Sequence, residues 1–231
     1  MKQLLMKQLP NPKQSTSMTY NIISTGSQGN AVVINDRILI DCGVPFKYLE
    51  PYVSDLQLVL LTHIHGDHFN KSAIRRLSRL RPTLRFGCGK WLVKDLVECG
   101  VKKFNIDIYT PNTVNDYRLF KVENFLLKHN VPNCGYKIEM NGERIMYATD
   151  TNSLDGIQAK GFDLYLLEAN YTDEEIHERI KEKQLNGEYA YEYQVLNNHL
   201  SKKKCDDFLV KNAGINSAFI YLHGHAGIEY D

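Results

Sequence analysis

Four side chains able to bind a metal ion stand within six residues of this chain: His63, His65, Asp67 and His68, in the run Thr62-His63-Ile64-His65-Gly66-Asp67-His68. The apolar run Leu56–Leu61 just before it reads as a buried strand, which sets the cluster at a strand's carboxyl end. Side chains two apart share a face of an extended segment. His63 and His65 can therefore close on one ion while Asp67 and His68 turn towards a second. Neutral imidazole and carboxylate suit zinc, and a site without cysteine leaves coordination positions open to water. Of the remaining histidines, His129, His199, His223 and His225 fall near strand or loop ends, and only His177 lies in a charged helical stretch.

The elements that must hold these residues follow from pattern. Thr19–Ser24, Ala31–Asn35 and Arg37–Ile40 read as three strands of a meander, turned by Asn35-Asp36 and closed by Asp41-Cys42-Gly43. After the histidine run come a helix over Ser72–Leu80, a strand over Leu84–Phe86 and a helix over Trp91–Cys99 that Gly100 ends. Strands are expected at Phe104–Tyr109, Tyr117–Val122, Asn124–Leu127, Tyr136–Met140 and Arg144–Tyr147, the last two joined by an Asn141-Gly142 hairpin. Helices at Asp173–Gln184 and Ser201–Ala213 and a strand at Ala218–Leu222 complete the pattern. Two sheets covered by helices, an α/β sandwich, are what this alternation predicts.

The 231 residues, 43% of them hydrophobic, suffice for one large domain, expected over residues 18–231. Met1–Ser17 is too poor in apolar residues for a signal-peptide core and reads as a mobile leader. Five scattered cysteines, an odd number without a CxxC pair, argue against a disulfide scaffold and for a reducing, cytoplasmic setting. A net charge of +1 gives no global field for holding nucleic acid. Locally, Lys71, Arg75, Arg76, Arg79, Arg81, Arg85, Lys90 and Lys94 form an acid-free basic stretch, either a solvated face or a surface for phosphate. Ser201-Lys202-Lys203-Lys204, opening a helix straight after His199, is a second candidate phosphate site through Ser201 and Lys202.

The run His63 to His68 resembles the HxHxDH signature of the metallo-β-lactamase superfamily, whose fold is a four-layer αββα sandwich of two mixed sheets flanked by helices. Gly26-Ser27-Gln28-Gly29-Asn30 and Ile40-Asp41-Cys42-Gly43 look like the YycJ-like, ribonuclease Z-like branch. The loop His129-Asn130-Val131-Pro132-Asn133-Cys134-Gly135-Tyr136 looks like its third motif, with Asn130 where an aspartate is usual. Leu167-Glu168-Ala169, Asn198-His199-Leu200-Ser201 and Leu222-His223-Gly224-His225 resemble the later motifs of the ribonuclease Z group. The resemblance implies His63, His65, His129 and Asp150 around one ion, and Asp67, His68, Asp150 and His223 around another, with His225 the alternative last ligand. Two Zn2+ are the implied cofactors, with Mn2+ the alternative. It also implies that Asp41 supports the metal loop, that Glu168 orients His199, and that His199 protonates the leaving oxygen while Asp67 orients the attacking hydroxide.

Two ions about 3.5–4 Å apart can clamp an in-line displacement at phosphorus, so the implied chemistry is hydrolysis of a nucleotide phosphodiester. Phe69-Asn70-Lys71-Ser72 after the signature, and the absence of a GHTPG-like segment around His129, set the chain apart from β-lactamases and glyoxalases. Among small members it resembles the phage-encoded anti-Pycsar phosphodiesterases, homodimers that open cyclic mononucleotides and so silence a bacterial alarm signal. The near-neutral charge favours that small substrate. A YycJ-like single-stranded DNA nuclease or a ribonuclease Z-like RNA nuclease is the alternative, and a non-catalytic metal-binding partner module is the alternative of another class. The segment Tyr189-Ala190-Tyr191-Glu192-Tyr193 could cap the site, stack on a base, form a dimer contact or pack in the core.

Overall fold

The computed structural model describes residues 18–224, so the leader Met1–Ser17 and His225 lie outside the described residues. The first half of the chain carries β1 (Tyr20–Ser24), β2 (Ala31–Ile34), β3 (Ile38–Ile40), β4 (Leu58–Leu61), α1 (Lys71–Leu80), β5 (Arg85–Cys88), α2 (Val93–Glu98) and β6 (Ile106–Ile108). The second half carries β7 (Val114–Asp116), β8 (Phe120–Leu127), β9 (Asn133–Met140), β10 (Glu143–Ala148), β11 (Leu164–Glu168), α3 (Asp173–Leu185), α4 (Glu192–Asn198), α5 (Lys202–Asn212) and β12 (Ala218–Leu222). Each half supplies one six-stranded sheet, in the orders β1-β2-β3-β4-β5-β6 and β12-β11-β10-β9-β8-β7. Both sheets are mixed, antiparallel in their first strands and parallel from β3 to β6 and from β10 to β12.

Side-chain alternation along the strands builds the layers. Val32, Ile34, Ile38, Ile40, Leu58 and Leu60 of the first sheet meet Val122, Tyr136, Ile138, Ile145, Tyr147 and Leu166 of the second in the central core. Val33, Leu39, Val59 and Leu61 face the opposite way, onto Ile74, Leu77 and Leu96 of α1 and α2. Phe125, Met146, Tyr165 and Leu167 face Cys205, Phe208 and Leu209 of α5. The result is the expected αββα sandwich. β4 reads as an unbroken apolar run because both of its faces are covered, each side chain contributing about 2 kcal/mol by leaving water.

The two hairpin turns form as expected, Asn35-Asp36 and Asn141-Gly142 all adopting positive φ, the mirror-image turn geometry that matches strand twist. The expected break at Glu123 does not occur. β8 runs unbroken from Phe120 to Leu127 because it pairs with β9 along its whole length, and the chain reverses earlier, at Arg118 with φ 68°. The Trp91–Cys99 helix opens instead with a 3-10 turn at Lys90–Leu92, and the Phe104–Tyr109 strand is preceded by another at Lys103–Asn105. Sequence pattern also missed α4 and the strand β11, of which only Leu167 and Glu168 were noted, as the start of a motif. Among the described residues no helix is long and apolar enough to cross a membrane.

Most of the basic stretch is consumed locally. The Arg81 guanidinium donates to the carbonyls of Val53, Ser54 and Leu56, and Arg85 Nε donates to Asp107 Oδ2 at 2.7 Å. Lys71 pairs with Asp95 and Lys94 with Glu98, while Arg76 pairs with Glu50 and lies over the Phe46 ring.

Candidate metal centre

Strand ends converge on one edge of the sandwich. Asp41 follows β3, the histidine run follows β4, His129 and Asp150 lie two residues past β8 and β10, Glu168 ends β11 and His223 follows β12. His199 comes from the carboxyl end of α4. Asp41, Asp150 and His223 have φ of 59°, 56° and 55°, a left-handed conformation uncommon outside glycine. Each turns its side chain back across its strand end, local strain of the kind that the surrounding packing holds at functional sites.

Three imidazoles form a first group. His63 Nε2 lies 3.1 Å from His65 Nδ1, which lies 3.3 Å from His129 Nε2. Nitrogens about 2.05 Å from a tetrahedral zinc ion stand ~3.3 Å apart, so the spacing fits one ion. Tautomers agree. His129 Nδ1 donates to the Asn198 carbonyl at 3.2 Å, because a carbonyl only accepts, and this leaves the Nε2 lone pair facing inward. His63 Nδ1 donates to Thr62 Oγ1 at 3.0 Å, whose own proton goes to the Asp41 carboxylate. Burial pushes His129 down to about 4 and His63 further still, nearby His68 adding to the fall at His63, so both are neutral, ligand-ready rings.

The second group is acidic. His68 Nε2 lies 2.9 Å from Asp150 Oδ2 and 3.5 Å from Asp67 Oδ2, and His223 Nε2 lies 3.5 Å from Asp67 Oδ2 and from Asp150 Oδ1. Behind them, buried Asp41 accepts from His68 Nδ1 at 2.7 Å, from the Thr62 amide and hydroxyl, and from Tyr147 at 3.1 Å. A carboxylate behind a ligating imidazole fixes its tautomer and raises its basicity. Asp150 Oδ2 and His223 Nε2 are buried without an aligned hydrogen bond, although charged neighbours touch them. Atoms gathered about a common cation have that geometry. Burial is the largest single influence and disfavours charge on His68 and His223, yet the surrounding carboxylates together outweigh it, Asp150 and Asp41 at His68 and Asp150, Asp67 and Glu168 at His223. His68 is held well above its ordinary range and His223 at about 9. The same imidazoles overcome burial to hold Asp67 and Asp150 below the usual carboxylate range. Buried carboxylates here demand positive charge, which protons meet in part and a divalent cation meets directly. The donor set, spacing and charge therefore fit a metal centre of one or two ions, with Asp150 reaching both groups.

Glu168 is fully buried. Its Oε1 accepts from His199 Nδ1 at 2.6 Å and its Oε2 from the Thr151 amide at 2.9 Å. Asp150, Glu168, His199 and His223 also stand close enough to hold an ion. With both Glu168 oxygens already accepting, and His199 Nδ1 spent on one of them, the Glu168–His199 pair reads as an orienting contact instead. The Glu168 carboxylate outweighs burial and raises His199 above its ordinary range.

Ser201 and Lys202 have local partners of their own. Ser201 caps α5 by accepting from the Lys204 amide, and the Lys202 ammonium pairs with Asp206 at 2.9 Å and lies over Tyr221. Asn130 is exposed, and the Asn198 carbonyl does for His129 what an adjacent aspartate would do. In the tyrosine-rich segment, Tyr189 and Tyr193 accept from Gln194 and Gln184, and Lys183 lies over Tyr191. Sequence reasoning gave no role to Thr62, Asn198, Tyr147 or Asn170, whose amide donates to the His223 carbonyl at 2.8 Å. Thr62 beside His63, Asn198 beside His199 and Asn170 two residues after Glu168 carried a positional signal, and Tyr147 carried none.

A four-layer sandwich with histidine–carboxylate clusters at one edge defines a metal-dependent hydrolase class. Residues 36–191 match the family described as the beta-lactamase superfamily domain, and the chain belongs to the metallo-β-lactamase superfamily. It is 29% identical over 129 residues to a UPF0173 metal-dependent hydrolase of Thermococcus onnurineus (strain NA1), a match covering 52% of this chain and 56% of that protein. The chain thus spans about half the length of that curated relative. Its fold is similar to that of the metallo-beta-lactamase fold protein YhfI from Bacillus subtilis, with TM-score 0.69, 16% identity and coverage of 91% and 88% of the two chains. It is also similar to the short form of human tRNase Z, with TM-score 0.62, 16% identity and coverage of 90% and 93%.

Proposed function

We propose that this chain is a metal-dependent phosphodiesterase that hydrolyses a nucleotide phosphodiester, a 3′,5′-cyclic mononucleotide by preference. The observation that carries the reading is the 2.6 Å contact between His199 Nδ1 and buried Glu168, set against the metal-fitting clusters. Bound metal supplies a nucleophile from water at neutral pH and polarises a phosphoryl oxygen. The chain's own part is to place the groups around it. His63, His65, His129 and Asp150 would hold one ion, and Asp67, His68, Asp150 and His223 the other. Asp67, the most exposed of the acidic donors, would orient the attacking water. His199, held by Glu168 in one tautomer and given a higher proton affinity by its charge, would donate from Nε2 to the departing ribose oxygen, which is a poor leaving group unless protonated.

Local pairing supports the small substrate. A nuclease contacting successive phosphates needs a continuous basic track. Here Arg81 and Arg85 serve as internal ties, and Lys71, Arg76 and Lys94 pair with neighbouring acids.

The test is a product assay of zinc- or manganese-loaded protein on a panel of 3′,5′-cyclic mononucleotides and labelled single-stranded DNA and RNA. Ring opening of the cyclic nucleotides, lost in His65→Ala and reduced in His199→Ala, is the expected result. Cleavage of polynucleotide alone would make it a nuclease, and metal uptake without either activity would make it a binding module.

A further inference from the structure

Trp91 is the single tryptophan of the chain, and it sits beside the metal loop. Its indole Nε1 donates to the carbonyl of Thr62 at 3.3 Å, one residue from His63. The ring lies folded over Gly89 at the end of β5, where a Cβ would come within 2.2–2.4 Å of three of its carbons. Glycine at that position is what lets the indole lie across the ends of β4 and β5. Partly buried, it packs against both the central core and the core beneath α1 and α2.

A second apolar side chain is tied to the same backbone point through Cys134. Leu126 shares its strand face with Phe120 and Val122, which are buried between the sheets, yet Leu126 is 56% exposed. It lies directly opposite Cys134 in the β8–β9 ladder, and the Cys134 thiol reaches the same Thr62 carbonyl, at 3.7 Å. Trp91 directly, and Leu126 through its ladder partner Cys134, thus converge on the backbone immediately before the first imidazole group, and Ile64, partly buried, follows in the same loop.

We infer that Trp91, together with Leu126, is the platform on which the substrate's nucleobase stacks while its phosphate lies at the metal centre. The inference rests on the nucleotide reading above. A flat, uncharged base is the part of a nucleotide that an indole and a leucine can recognise, and phosphate and ribose are not. An indole face accepts any base, so the platform sets affinity for nucleosides over simple phosphates and leaves base choice open.

Fluorescence of the lone tryptophan tests this directly. Zinc-loaded His199→Ala protein is titrated with adenosine 5′-monophosphate and with ribose 5-phosphate, each followed by calorimetry and by Trp91 emission. The expected result is saturable quenching by the nucleotide, no quenching by the sugar phosphate, and roughly 10-fold or more tighter binding of the nucleotide. Leu126→Ala, a change at an exposed position, is expected to weaken the nucleotide several-fold and leave the sugar phosphate unchanged. In the active protein Trp91→Leu is expected to raise KM for a cyclic nucleotide roughly 10- to 100-fold with less change in kcat, and Trp91→Phe to restore much of it. Equal affinities for the two ligands without an emission change would overturn the platform alone. Absence of binding by both would overturn the platform together with the nucleotide reading.

Discussion

Replacing Gly43 by alanine would separate the two halves of the metal centre. An ideal Cβ at residue 43 falls 1.7 Å from the Asp67 carbonyl oxygen, 2.2 Å from its carbon and 2.8 Å from the Asn30 amide nitrogen. Side-chain carbons essentially never approach a heavy atom closer than 3.0 Å, so the Asp67 backbone must retreat by about 1.3 Å. It is poorly placed to do so, because the Asn30 amide donates to that carbonyl at 2.6 Å and the Cys42 amide to His68 O at 2.9 Å. Metal ligands tolerate only about 0.2 Å, so the displacement removes Asp67 as a donor while His63, His65 and His129 keep their places. The expected outcome is a fall from two bound zinc ions to one, read by mass spectrometry after loading and gel filtration. Activity should fall by about 100-fold or more. Overpacking of about 1–3 kcal/mol should lower Tm by roughly 2–4 °C per kcal/mol, leaving a folded protein. Gly66→Ala is the control, since its Cβ meets nothing within 4 Å in the same loop. A Gly43→Ala protein with two ions and undiminished activity would refute the reasoning, as would equal losses in Gly66→Ala.

Glu168→Gln is expected to lower kcat by about 100-fold or more without changing metal content, because it removes the charge that raises the proton affinity of His199. A drop in bound zinc instead would return Glu168 and His199 to the ligand set. Asp41→Asn should weaken zinc affinity about 10- to 100-fold in a competitive chelator titration, since it removes the acceptor behind His68 and Thr62. Asn130→Asp should leave that affinity unchanged, because the Asn198 carbonyl already holds His129 Nδ1. In metal-free protein, His223 and His68 titrate above the unfolded value of about 6.5, so their stabilisation is complete below that pH and is lost as pH rises, for His223 through about 9. His63 and His129 titrate below it, so stability falls as pH drops from about 6.5 towards 4. Tm of metal-free protein should therefore peak near pH 6.5, with zinc moving the optimum upward, and a metal-free Tm still rising from pH 6.5 to 9 would contradict this.

Much of the molecule could be read from the chain alone. The histidine run was legible because its ligands are consecutive and follow an apolar strand, so local geometry suffices to bring them together. The hairpins at Asn35-Asp36 and Asn141-Gly142 were legible for the same reason, since left-handed turns need particular residues. β8 was misread because its continuity depends on a partner, β9, that pattern within one segment does not reveal. The short α4 carries little amphipathic signal and forms against α3, with Ile176, Ile180, Val195 and Leu196 in one small cluster.

The sequence by itself determined which residue types could do chemistry and that sheets and helices would alternate around them. Only the tertiary structure decided what those residues face. Asn198 O behind His129 had no sequence counterpart, and Asp41 behind Thr62 and His68 and Glu168 against His199 were expected only through resemblance; these contacts span 21 to 69 positions, and no spacing rule within one segment encodes them. The basic stretch makes the same point from the other side. Eight like charges in sequence resemble a binding surface until packing supplies carbonyls for Arg81 and carboxylates for Lys71, Arg76, Arg85 and Lys94. Charge and ligand capacity are properties of a residue, whereas partnership is a property of the fold, because it depends on which strand ends the two sheets bring to a common edge.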